Sequence, residues 1–253
     1  MVRYIFTPTA GIKHPTESEL KLLLRHIGHD YLSDLVRLGN ALTRFSEGSE
    51  DPEVSHLERA EMLKKEHTRL WHVHSVCTAL SSLGSGSSMP VDWNLQEAIH
   101  PLVNYARQHW ETTDISLAGD FQQSCYNSRK AVYLQLFHFL QNAAAQRTTT
   151  QIAICTEALP LAEEQQSYLG KNGSNYQLGD PFIHVTVQDN GPGIPESRFT
   201  ELFAPRDPSS IRGIGLSLVD HVCDVVHGYI TVDSTIGKGS MFTLTFAQRK
   251  NET

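Results

Sequence analysis

No run of apolar residues in this 253-residue chain approaches the length that crosses a bilayer, and the first eleven residues lack the pattern of a secretory leader. A membrane-spanning part, if there is one, is therefore expected on another chain or on a part of the protein outside this sequence. Positive charge is also in short supply: 21 Lys and Arg stand against 28 Asp and Glu, a formal net charge of -7. A chain without a basic footprint is poorly suited to nucleic acid as its main partner, and a mildly acidic surface chiefly keeps a protein soluble. Cysteine is scarce. Cys77, Cys125, Cys155 and Cys223 are widely separated and form no metal-type pair. Each lies in an apolar context, so buried reduced thiols are expected, as in a cytoplasmic protein. No internal repeat is visible.

What is present is enough for one large domain or two modest ones, each with a core of its own. Leu20, Leu24, Ile27, Tyr31, Leu35, Leu38, Leu42 and Phe45 recur at steps of three and four, the stripe of a helix over residues 16–45. Thr16 with Glu19 makes a capping box at its start, and Pro15 stands outside it. The polar run Ser46-Glu47-Gly48-Ser49-Glu50-Asp51-Pro52 breaks that helix, and a second is expected over residues 53–83, with Leu57, Leu63, Leu70, Val73, Val76 and Leu80 among its apolar positions. Two such helices make an antiparallel hairpin that can hardly cover its own stripe. Pairing with a second copy gives a four-helix bundle, so a homodimer through the hairpin is expected.

Gly84-Ser85-Gly86-Ser87-Ser88 reads as a linker, dividing the chain into residues 1–84 and 90–253. Beyond it helices and strands mix. Helices are expected over residues 95–110, 130–146 and 214–227, and strands over 114–117, 150–156, 182–189, 229–232 and 240–246. The polar stretch 163–179 reads as a loop or a long hairpin connection. The fold class is α+β: a helical hairpin followed by a mixed α/β domain.

Two glycine runs carry the functional argument. In Val187-Gln188-Asp189-Asn190-Gly191-Pro192-Gly193-Ile194-Pro195 a strand ends in a carboxylate and the chain turns through two glycines, which permit positive φ and close backbone approach. In Arg212-Gly213-Ile214-Gly215-Leu216-Ser217 glycines open a helix, whose free N–H groups and dipole can hold phosphate. Either run alone is an ordinary turn or helix start. Their order is more specific. Asn142 stands on an apolar helix, where an amide is a poor core residue without a partner. Asp189, Glu201-Leu202-Phe203, Gly213-Ile214-Gly215-Leu216 and Gly237-Lys238-Gly239-Ser240 follow it.

This succession resembles the N, G1, F and G2 boxes of the sensor histidine kinases, over about 110 residues; their catalytic domain belongs to the wider group that includes type II topoisomerases and mismatch-repair ATPases. The resemblance implies an α/β sandwich, a mixed sheet covered on one face by helices, that binds ATP and Mg²⁺. It implies that Asn142 coordinates the Mg²⁺ bridging the phosphates and that Asp189 accepts a hydrogen bond from the adenine amino group. By the same resemblance Gly191 and Gly193 shape the base pocket, Gly213 and Gly215 let the lid and helix start approach the triphosphate, and Phe203 and Leu216 belong to the same boxes. There are departures. His138 stands where the family usually has its first asparagine, Ala145 where a lysine is common, and Ile211 replaces the usual first glycine of the second glycine box. Nine residues separate Phe203 from Gly213, so the lid is short.

In that family a helical hairpin carries the phosphoacceptor histidine. His29 is the candidate: two residues from both Ile27 and Tyr31, it points about 200° from the apolar stripe. Asp30 beside it resembles the acidic neighbour of the family's acceptor and would take the ring's proton. His26 is the next candidate. The resemblance thus implies a cytoplasmic two-component kinase core that uses ATP to phosphorylate itself on His29 and passes the phosphoryl group to an aspartate of a response-regulator receiver domain. The alternative is a dimeric histidine phosphotransferase that relays phosphate without ATP, which the replacements at His138 and Ile211 would suit.

Overall fold

The computed structural model of the protein describes residues 1–6, 40, 43, 91–110, 113–144, 148–199 and 219–249. Asn40 and Thr43 are helical; the rest of the expected hairpin, with His29 and Asp30, lies outside the described residues. So do Phe203, Gly213, Gly215 and Leu216.

The described elements are β1 (Val2–Phe6), β2 (Val91–Asn94), α1 (Gln96–His109), β3 (Asp114–Gly119), β4 (Ser124–Asn127), α2 (Arg129–Ala144), β5 (Gln151–Pro160), α3 (Glu163–Tyr168), β6 (Pro181–Asp189), α4 (Val219–Val226), β7 (Gly228–Thr235) and β8 (Gly239–Ala247). Six strands form one sheet in the order β1-β7-β8-β6-β5-β3, and β2 pairs with β4 in a second. Only the β3–β5 pair of the large sheet is parallel. Alternation along β6 explains the layering. Ile183, Val185 and Val187 enter the main core with residues of α1, α2 and α4, whereas Phe182 points the other way into a smaller cluster. The helices α1, α2 and α4 therefore cover one face of the sheet, as the mixed α/β reading anticipates.

α2 is the central helix. The Ser128 carbonyl accepts the N–H groups of Ala131 and Val132 at 3.1 and 3.2 Å, closing its first turn. Phe139 packs on Phe242 of β8 with centroids 5.2 Å apart, and Phe137 meets Tyr105 of α1 edge-on at 5.8 Å. Burying a phenylalanine this completely contributes roughly 2–3 kcal/mol. The small sheet is tied to the large one by polar contacts: Trp93 Nε1 donates to Asn127 Oδ1, and Asn127 Nδ2 donates to the Ala247 carbonyl. Among the described residues Cys125, Cys155 and Cys223 are free; Cys125 and Cys223 are buried, and burial pushes the Cys125 thiol up to about 12.

Two stretches differ from the sequence reading. Residues 163–179 are not a plain connection: α3 is followed by a 3-10 turn, Gly170–Asn175. Gln165 Oε1 accepts the Ala162 N–H, and Gln166 Nε2 donates to the carbonyls of Gly173 and Tyr176. Side-chain amides thus close a compact turn that buries Leu169 and Tyr176 with Leu161, Phe182, Tyr229 and Ala247. Val2–Phe6, grouped above with the hairpin, instead forms the edge strand of the large sheet, antiparallel to β7 from Val2↔Ser234 to Phe6↔Ile230.

Candidate functional site

Asp189 ends β6, and its carboxylate is buried. Burial pushes its proton affinity above the ordinary carboxylate range, while backbone N–H groups of Gly191 and Ser240 pull the other way. The Gly191 contact is 2.8 Å long and turns the chain at once after the strand. The next side chain holds the loop from below. Asn190 Oδ1 accepts the N–H groups of Thr150 and Gln151, both at 3.0 Å, and its Nδ2 donates to Thr150 Oγ1. The loop is thereby fastened to the start of β5, seven residues beyond the end of α2.

The far side of the loop is fastened to the turn between β7 and β8. The Gly237 N–H donates to the Pro192 carbonyl at 2.8 Å, and the Ile194 N–H donates to Ser234 Oγ at 2.8 Å. Ser234 Oγ also donates to the Gly239 carbonyl and lies 3.1 Å from Ser240 Oγ. Glycine is required at two of these points. Gly193 has φ +74°, and a Cβ there would sit 2.3 Å from the Thr235 carbonyl oxygen; Gly239 has φ +105°, and its Cβ would meet the Asp189 carbonyl oxygen at 1.9 Å. Asp189, Gly191 and Gly193 are thus brought together as the sequence reading expects. Asn190, Ser234 and Ser240 were not singled out in the sequence; small polar residues beside glycines are too common to mark a binding loop.

The resemblance puts the other border of the site on α2. Asn142 is exposed near the end of that helix. The wholly buried amide of α2 is Gln135, at 0% exposure, and neither its Oε1 nor its Nε2 has a hydrogen-bond partner. Between them stands His138, partly buried, whose Nε2 is buried and likewise without a partner. Burial lowers its imidazole to about 4, against a hydrogen bond with Gln141 that raises it, so the ring is neutral at pH 7. Residues 135, 138 and 142 share one face of the helix, at spacings of three and four. Only Asn142 is exposed; Gln135 is wholly buried and His138 partly so.

An adenine nucleotide fits this chemistry. A carboxylate has about four acceptor positions, so Asp189 can engage its backbone partners and still accept an amino group. Among the described residues no group of three or more His, Cys, Asp or Glu side chains converges as a metal site. A divalent cation here would be held by the Asn142 amide together with phosphate oxygens. No helix of the described residues is long and apolar enough to cross a membrane.

Comparison with known proteins agrees with this geometry. Residues 129–250 match the family of histidine kinase-, DNA gyrase B- and HSP90-like ATPases. Among curated relatives, the adaptive-response sensory kinase SasA of Synechococcus sp. (strain JA-2-3B'a(2-13)) is 42% identical over 69 residues, 25% of this chain and 18% of that protein. The chain thus spans less than a fifth of that relative. Two solved structures share the fold. The catalytic domain of histidine kinase ThkA superposes with TM-score 0.50 at 19% identity, covering 63% of this chain and 96% of its own. A bacterial phosphotransferase superposes with TM-score 0.56 at 16% identity, covering 94% of this chain and 99% of its own. The sheet with helices on one face and the Asp189 loop accord with that match: residues 129–250 are similar to the histidine kinase-, DNA gyrase B- and HSP90-like ATPases, and their fold is that of a histidine kinase catalytic domain.

Proposed function

We propose that this chain is the core of a two-component, ATP-dependent protein-histidine kinase, which phosphorylates itself on His29 and passes the phosphoryl group to an aspartate of a response-regulator receiver domain. The observation that carries the reading is the buried Asp189 carboxylate, held by the Gly191 N–H beside two glycines that tolerate no side chain. Such an acceptor selects adenine, whose amino group donates; guanine would set a carbonyl oxygen against it. Asn142 would supply an amide oxygen to Mg²⁺, and Mg²⁺ bound there would offset charge on the transferred group. Phe203, Gly213, Gly215 and Leu216 would complete the lid and phosphate side. Asp30 would orient the His29 ring and take its proton as the other ring nitrogen bonds to phosphorus. Pairing of two hairpins would make the protein a homodimer, working in the cytoplasm and receiving its stimulus from a sensor domain on another chain or on a longer form of this one.

Incubation with [γ-³²P]ATP and Mg²⁺ tests this. Label is expected on the wild type and absent from His29→Ala; label that persists in His29→Ala refutes the acceptor assignment.

His138 favours a second reading, a dimeric histidine phosphotransferase that relays phosphate without ATP. Its buried, neutral ring stands where the resemblance calls for an asparagine. Calorimetric titration with ATP and Mg²⁺ decides between the two. Binding that disappears in Asp189→Ala excludes the relay; no heat with the wild type excludes the kinase.

A further inference from the structure

β1 is the one described element that precedes the hairpin in sequence, yet it belongs to the ATP-binding sheet. Its five residues pair with β7 along their whole length. Side chains on both of its faces are used. Val2, Tyr4 and Phe6 pack against the main core, and Ile5 packs against the smaller cluster. The Arg3 guanidinium donates from Nε to Asp233 Oδ1 at 2.8 Å, and the Asp233 side chain is almost wholly buried. Five residues engaged this fully are a built part of the domain rather than a trailing end.

Two of these contacts reach the loop after Asp189. Val2 lies opposite Ser234, the residue whose hydroxyl accepts the Ile194 N–H. The Tyr4 ring stacks on Phe199, centroids 6.1 Å apart and planes 21° from parallel. Phe199 is 3% exposed and follows the 3-10 turn Glu196–Arg198, which the Arg198 N–H closes onto the Pro195 carbonyl. The segment from Gly193 to Phe199 is therefore gripped at both ends by β1 or by its immediate partner. Among the described residues, the backbone between those points bonds only within its own turn, as the Arg198 N–H does to the Pro195 carbonyl, so Phe199 and Ile194 are its anchors.

We propose that β1 is a strut of the nucleotide site and that Tyr4 is a positioning residue, acting through Phe199 on the loop that bears Gly191 and Gly193. The inference rests on the ATP-binding reading for its effect on nucleotide, but not for its effect on the loop. It also makes residues 7–90 an insertion between two strands of the ATP-binding unit. A pull on the chain just after Phe6 would then reach the base pocket directly through β1.

Amide hydrogen exchange and ATP titration on the full chain test this with Tyr4→Ala, Tyr4→Phe and Arg3→Ala. Tyr4→Ala is expected to speed exchange of residues 191–199 about tenfold, leave α2 and β6 unchanged, and weaken ATP binding about tenfold. Tyr4→Phe keeps the stacked ring and should restore both values. Arg3→Ala loosens β1 through Asp233, away from Phe199, and should give a weaker effect with the same pattern. Unchanged exchange over residues 191–199 in Tyr4→Ala, with β1 itself exchanging freely, overturns the proposal. Equal acceleration throughout the sheet overturns it as well, because it reports lost stability and not positioning. If the wild type takes up no ATP, the kinase reading fails while the exchange pattern still decides the role of β1.

Discussion

The loop after β6 and the polar face of α2, the two borders of the proposed nucleotide site, provide for their polar atoms differently. Around Asp189, the carboxylate, the Asn190 amide, the Pro192 carbonyl and the Ser234 hydroxyl all have partners within the protein. Along α2, both amide atoms of Gln135 and the Nε2 of His138 are buried without one. An unpaired buried polar atom costs about 1–3 kcal/mol, so the second arrangement stores instability that the first avoids. The base side is thus preorganised by the fold alone. On the phosphate side, affinity is expected to depend on what a ligand supplies.

The largest effect should come from breaking the organised side. Asp189→Ala removes the acceptor for adenine and releases the backbone groups of Gly191 and Ser240. ATP affinity should fall by at least about a hundredfold, the loss of a charge-assisted hydrogen bond of roughly 3 kcal/mol. Asp189→Asn, which keeps the shape and one acceptor, should lose less; equal losses in calorimetry would show that the negative charge itself is what matters.

A middle-sized effect separates the two sides by pH. The folded His138 value of about 4 lies below the ordinary 6.5, so protonation favours the unfolded chain. Its contribution is complete above pH 6.5 and is lost as pH falls toward about 4, on the order of 1–2 kcal/mol by pH 5. His184, lowered by burial, acts in the same direction. Asp189 acts oppositely: its raised value contributes stability below the ordinary 3.8 that is lost as pH rises through the folded value. Urea midpoints at pH 7.5 and 5 should therefore differ less in His138→Asn than in the wild type. An unchanged difference would place the acid sensitivity elsewhere.

The smallest effect concerns Gln135. Replacing it with leucine removes two unpaired polar atoms without changing volume much, so the melting temperature should rise by up to about 3–5 °C, roughly 1 kcal/mol. A fall would mean that the amide has a partner in the folded protein, and the contrast between the two sides would narrow.

What was legible in the sequence follows a physical pattern. Asp189, Gly191 and Gly193 could be read because their requirements are local: a carboxylate closing a strand, and backbone conformations that exclude a side chain. The helices over 95–110 and 130–146 and the strands around residues 152, 185 and 244 announced themselves by periodicity. β1 did not, because Val2–Phe6 reads as a short apolar run whose meaning lies in β7, beyond reach of any local pattern. α3 and its following turn were hidden because Gln165 and Gln166 organise them, and glutamine is at home in any polar loop. The burial of Gln135 could not be read either, since helix propensity and polarity both place glutamine on a surface.

The pairing of Val2 with Ser234 also bears on how the chain acquires its structure. β1 stands far ahead of its partner, with Arg3 and Asp233 separated by 230 positions, so it must wait for that stretch to be made before it can dock. The sheet's last edge closes by a contact of very high sequence separation, the kind that slows folding. Until then β7 presents an unpaired edge, open to the β1 of a neighbouring chain as readily as to its own. Newly made protein at high concentration is therefore expected to exchange first strands between copies, a misassembly that dilution during refolding should suppress.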